Sequence, residues 1–248
     1  VFVVFSRRKG DGSSPVKRVF SVVSSGVVAG LLLSMAAVSP ANAEEVTKFQ
    51  FEKRFASQME PFLDSIEGRT QVQRIKSPLF KSWLKVNPDD SFITRTPLGK
   101  DKCVSVNTCW SYNKSTKKWQ PVTLSDGEVS LERVTPTLDN LLYGTDEDES
   151  ASASEGRIVS ETFDISGDVF SIKQTFESGT VQDTTLRVSK KKFVMNQTTT
   201  QEGLPEPFEL SWTTKLRNKP VKVKAPKKSR LGKPSDSSMR LNIVTFSP

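Results

Sequence analysis

Between residues 157 and 217 apolar and polar side chains alternate in run after run, and this alternation limits the possible folds more than any other feature of the 248-residue chain. Val159, Phe163 and Ile165 share one side of an extended segment. Phe170, Ile172 and Phe176 alternate with Ser171, Lys173 and Thr175. Leu186 with Val188, and Phe193 with Met195, continue the pattern, and Phe208, Leu210, Trp212, Thr214 and Leu216 close it. A period of two puts the apolar set on one face of a sheet and the polar set on the other. Ser166-Gly167-Asp168 and Ser178-Gly179 separate the first runs, and the loop Gly203-Leu204-Pro205-Glu206-Pro207 precedes the last. Connections this short join antiparallel neighbours, because a parallel crossover needs about a dozen residues or more.

Upstream, the period changes. Phe51, Phe55, Met59, Phe62 and Ile66 recur at steps of three and four, which predicts an amphipathic helix over 46–67, kinked or divided at Pro61 and stopped at Gly68. From Leu79 onward short β-like runs return, at 91–96, 103–106, 110–112, 118–124 and 128–134. Asn113-Lys114-Ser115-Thr116 forms a hairpin turn between two of them. The expectation is a mainly β fold of eight or nine strands: one antiparallel barrel or sandwich with an N-terminal amphipathic helix. The architecture resembles a lipocalin (calycin) barrel. The resemblance is architectural only, since no Gly-Xaa-Trp signature stands near the first strand. The acidic, serine-rich stretch 145–155 cannot bury enough apolar surface to order itself, so a mobile loop is expected there.

Residues 1–43 have the layout of an export signal. Lys17 and Arg18 precede an apolar run at 19–38, which ends in Ala41-Asn42-Ala43 before Glu44-Glu45. Cleavage after Ala43 is the expectation; a run of about 20 residues would also be long enough to stay as an anchor. Ser6-Arg7-Arg8 hints at a twin-arginine signal, and the Ala-Asn-Ala-Glu-Glu ending is similar to both periplasmic and thylakoid-lumen signals. The destination is therefore periplasm, cell exterior or thylakoid lumen. The expected organisation is leader 1–43, helix plus β domain 44–217, and a basic Pro/Lys-rich tail 218–248.

Charge divides along the same boundaries. The total of +8 resolves into +4 in the leader, +9 over residues 215–248 and −5 between them. The mature chain is thus a mildly acidic body with a basic tail.

Histidine is absent, which removes Ser-His-Asp and Cys-His chemistry and the commonest zinc ligand. No phosphate-binding glycine loop occurs, and no metal or cofactor is expected. The two cysteines, Cys103 and Cys109, are expected to form a disulfide across a tight hairpin in an oxidising compartment.

Two candidate binding sets remain. Trp110 and Tyr112 share a face and, with Trp119, stand around one hairpin, where they suit a flat or apolar ligand; Lys117 and Lys118 beside Trp119 suit an anionic one. Lys215, Arg217, Lys219, Lys222, Lys224, Lys227, Lys228 and Arg230, spaced by Pro220 and Pro226, form a flexible extended stripe suited to polyanions. The residues from 241 to 246 are apolar again and are candidates for a final strand.

The functional expectation is an exported, non-catalytic interaction protein, an auxiliary subunit at a membrane surface, with an acidic protein or an anionic membrane as partner and no nucleic acid. The alternatives are a lipocalin-like carrier of a small apolar or pigment-like ligand, and a histidine-free hydrolase using paired carboxylates.

Overall fold

Thr47 starts the helix. Its hydroxyl accepts from the Gln50 N–H while the Gln50 side chain accepts from the Thr47 N–H, a reciprocal capping box. The helix α1 spans Lys48–Leu63 and buries Phe51, Phe55, Met59 and Phe62 along one stripe. Pro61 falls in its last turn, so it helps to end the helix and does not divide it. Gly68 takes φ +65° in the turn that follows, a conformation a side chain would strain.

The computed structural model describes residues 5–7, 43–97, 99–105, 108–122, 129–134, 137, 138, 141, 157–203, 205–233 and 239–246. The acidic stretch 145–155 and the apolar run 19–38 lie outside the described residues. Among the described residues fifteen strands are numbered in chain order. β1 is Phe5–Arg7, β2 Glu44–Val46, β3 Thr70–Lys76, β4 Lys81–Val86, β5 Phe92–Arg95, β6 Lys100–Ser105, β7 Thr108–Asn113 and β8 Lys118–Val122. β9 is Val129–Val134, β10 Ile158–Ser166, β11 Val169–Phe176, β12 Val181–Ser189, β13 Lys192–Thr200, β14 Phe208–Arg217 and β15 Met239–Phe246.

Twelve of these form one antiparallel sheet in the order β2-β10-β11-β12-β13-β14-β3-β4-β5-β6-β7-β8. The remaining three form a small sheet, β1-β15-β9, in which β15 and β9 are parallel. β1 belongs to the segment expected to be a leader; it pairs with β15 on the edge opposite β9.

The large sheet does not close. Its outermost strands, β2 and β8, are not paired with each other, so the barrel and the lipocalin-like closure expected from the sequence are not formed. The sheet instead packs on α1. Phe163, Phe170, Ile172, Leu186, Val188, Phe193, Met195 and Trp212 meet the helix stripe in a single cluster joined by Leu138, Leu141 and Phe246. Phe51 sits 5.1 Å from the Phe163 ring and 5.4 Å from that of Phe170, edge-on to the latter. The small sheet is fastened to the large one through Gln71, whose side-chain amide pairs with Phe246 as a backbone would. Nε2 donates to Phe246 O at 2.7 Å, and Oε1 accepts from Phe246 N at 3.1 Å.

Cross-strand register shows which face each side chain takes. The face that holds Trp212 and Leu216 continues through Ile75 and Gln71 on β3, Val86 on β4, Phe92 on β5 and Cys103 on β6 to Cys109 and Val122. The two cysteines are direct register partners, 4.1 Å apart at Cα, and are disulfide-bonded as the sequence predicts.

Candidate functional site

The opposite face of β3 to β8 carries the candidate site. One register row across it reads Arg74, Trp83, Arg95, Lys100, Tyr112, Trp119. The row beside it reads Val72, Lys85, Ile93, Lys102, Trp110, Pro121. Lys76 and Lys81 pair at the far end. Seven cations, three tryptophans and a tyrosine thus project from these six strands to one side, and no carboxylate does. The acid within these strands, Asp101, points to the other face with Thr94 and Ser111.

Cations and rings on this face are in contact. Lys102 Nζ lies 4.5 Å from the Trp119 ring centroid, Lys85 Nζ 5.0 Å from Trp83, and Lys100 Nζ 5.8 Å from Tyr112. Tyr112 and Trp119 meet edge to face at 5.2 Å. The aromatic hairpin expected from the sequence is therefore assembled. The cation against Trp119, however, is Lys102 from β6, two strands away, and neither Lys117 nor Lys118.

The basic tail runs over this face. Residues 220–227 form neither helix nor strand, and a short turn follows; the segment is fastened and does not hang as a free stripe. Asn87, at the end of β4, grips Val221 on both sides: Nδ2 donates to Val221 O at 2.7 Å, and Val221 N donates to Oδ1 at 2.8 Å. Lys102 Nζ donates to Lys224 O at 2.7 Å. Farther on, Leu231 bridges Trp119 at the edge of β8, and Gly232 N donates to Trp119 O at 2.8 Å. Val72, on the outer face, is buried.

An open groove of about 270 Å³ lies between tail and sheet, lined by Lys102, Trp119, Lys224, Ala225, Pro226, Lys227 and Arg230. Burial pushes the Lys102 ammonium pKa below the ordinary lysine value, because the charged form loses water there. Lys224, Lys227 and Arg230 repeat every three residues, the period at which an extended proline-rich or 3₁₀ segment returns side chains to one side. A 3₁₀ turn does occupy Lys228–Arg230.

The two sequence-predicted sets therefore meet. Trp119 and three tail cations share the groove, with Tyr112 and Trp110 on the same face. Lys219, Lys222 and Lys228 are exposed outside the groove, and Lys215 and Arg217 stand on β14. The sequence reading missed Lys102, Lys85, Arg74, Arg95 and Lys100; the alternation of β4 and β6 could have revealed them had those strands been aligned with the aromatic hairpin.

Among the described residues no group of three His, Cys, Asp or Glu could hold a metal ion, and no helix is long and apolar enough to cross a membrane. Fold and site define a helix-filled, open antiparallel sheet with a cationic, aromatic outer face. No protein-family model matches the chain, and neither does any curated protein or solved structure.

Proposed function

We propose that this is an exported binding protein that holds an anionic partner on the outer face of β3 to β8. The observation that carries this is the groove itself: Lys102, Lys224, Lys227 and Arg230 gather around Trp119 without a lining carboxylate, and one of the four is already partly desolvated. Like charges gathered around one groove repel, and an anion relieves that repulsion. The disulfide between Cys103 and Cys109 is compatible with an oxidising compartment. The carrier alternative gains no support from the fold, because Phe51, Phe55, Met59 and Phe62 of α1 fill the side of the sheet where a lipocalin would hold its ligand.

The test compares two charge reversals of equal size. Lys224→Glu, Lys227→Glu and Arg230→Glu together alter the groove; Lys190→Glu, Lys191→Glu and Lys192→Glu alter an exposed turn elsewhere. Binding of the full chain to poly-L-glutamate and to vesicles of anionic lipid is measured at low salt. The groove variant should lose at least tenfold more affinity than the turn variant. Equal losses would mean that only net charge matters and that the groove is no site.

A further inference from the structure

We infer that the partner is a linear acidic polysaccharide, carboxylated or sulfated, laid across the strands alongside the tail; this rests on the anion-binding reading above and names its ligand. Three observations support it. First, the site is a track and not a patch. Strands lie about 4.8 Å apart, so the row from Arg74 on β3 to Trp119 on β8 extends over about 24 Å. The docked tail stands above the sheet along one side of it, fastened at Asn87, Lys102 and Trp119. A raised wall along an open floor admits a linear polymer and hinders a flat membrane surface.

Second, cations and rings are interspersed along the track: Arg74, Trp83, Arg95, Lys100, Tyr112, Trp119. Trp83, Tyr112 and Trp119 are partly exposed, and Arg95 and Lys100 are exposed. An acidic peptide would use the cations and leave the rings idle. A polymer of anionic rings uses both, its carboxylate or sulfo groups on Arg95 and Lys100 and its ring faces on Trp83 and Tyr112. Tail cations Lys224, Lys227 and Arg230 add to the charge from the wall.

Third, single-stranded nucleic acid has the same general chemistry, stacked rings on a charged chain. The disulfide joins β6 and β7, two of the strands that carry the site, on their other face, and such bonds belong to oxidising compartments. There the linear ring-bearing polyanions are acidic glycans.

The experiment uses the full chain and four polymers at equal charge concentration: heparin, polygalacturonate, poly-L-glutamate and a twenty-nucleotide oligothymidylate. Affinity is followed by tryptophan fluorescence over a salt series. Trp83→Ala and Tyr112→Ala alter partly exposed rings, and circular dichroism checks that each variant folds. Arg95→Gln with Lys100→Gln tests the charges. The expected result is binding of heparin or polygalacturonate at least tenfold tighter than poly-L-glutamate and oligothymidylate, weakened about tenfold by either ring variant. The double charge variant should flatten the salt dependence. Equal affinity for poly-L-glutamate, unchanged by Trp83→Ala and Tyr112→Ala, would overturn the polysaccharide and leave the anion-binding reading standing. Tightest binding to oligothymidylate would overturn the polysaccharide in favour of nucleic acid. No binding to any of the four would overturn both readings.

Discussion

Replacing Asn87 with alanine should loosen the tail without unfolding the sheet. Asn87 is buried, at 5% exposure, and its side chain is fully used. Oδ1 accepts from Thr70 Oγ1 at 2.9 Å and from Val221 N at 2.8 Å; Nδ2 donates to Ser91 Oγ at 2.8 Å and to Val221 O at 2.7 Å. Two of these four bonds hold the tail. At about 0.5–1.5 kcal/mol net for each, their loss weakens docking by about 1–3 kcal/mol. Since each 1.4 kcal/mol is a factor of ten, the undocked population should rise roughly 5- to 140-fold. Limited trypsin digestion reads that population, because Lys222 and Lys224 become cleavable only when the segment lifts, and cleavage follows the open fraction when reclosing is fast. Ser91→Ala is the control: it removes an Asn87 partner but leaves both tail bonds. Tail cleavage no faster in Asn87→Ala than in Ser91→Ala would refute the assignment of Asn87 as the clamp. So would a fall in the urea midpoint of the whole protein that matches the tail opening step for step.

Three further outcomes follow from the same structure. Replacing Cys103 and Cys109 with serine should cost about 2 kcal/mol in urea unfolding, the loop-entropy value for so short a closed loop, and reducing the wild-type chain should give the same shift. Phe51→Ala removes a fully buried ring packed against Phe163 and Phe170 and should cost about 3–5 kcal/mol; a loss below 1 kcal/mol would mean that α1 is not the centre of the core. Polyanion affinity should decline on the alkaline side before ordinary lysines titrate, because Lys102 carries a depressed pKa and binds anions only when charged. In that same window the unfolded chain holds more protons than the folded one, so the stability of the free protein should rise with pH. Lys102→Arg should move the decline in affinity to higher pH; an unchanged titration would exclude Lys102 from the site.

Parts of this architecture are plain from residue order alone. The stripe Phe51, Phe55, Met59, Phe62 predicts α1 because a 3.6-residue period is local, and the runs in β10, β11 and β14 predict strands because their apolar residues all face one core. β3 was invisible for an instructive reason. Its inward residues are Gln71, Gln73 and Ile75, while Val72 faces outward. Polar residues occupy the positions that a period-two reading expects to be apolar. Gln71 is there to pair with the Phe246 backbone, and Val72 is buried on the face the tail crosses; both depend on segments roughly 150 or more residues away. β4, with lysines at Lys81 and Lys85 around Trp83, is basic on the face that bears the site, so it too lacks an apolar signature.

The candidate site shows the same division. Trp110 and Tyr112 could be placed on one face from alternation, and the density of lysines in the tail is a matter of counting. Their meeting could not be foreseen, since it depends on Asn87 holding Val221, on Lys102 reaching Lys224, and on Leu231 bridging Trp119.

By itself, residue order determined what depends on local periodicity and near neighbours: the amphipathic helix, the antiparallel strands of the second half, the disulfide hairpin and the two reservoirs of aromatic and basic residues. Tertiary structure alone decided whether the sheet closes, which face each cation takes, and where the tail lies. Those outcomes are fixed by register and by hydrogen bonds between residues more than a hundred positions apart, and no local pattern encodes the partner of a long-range bond.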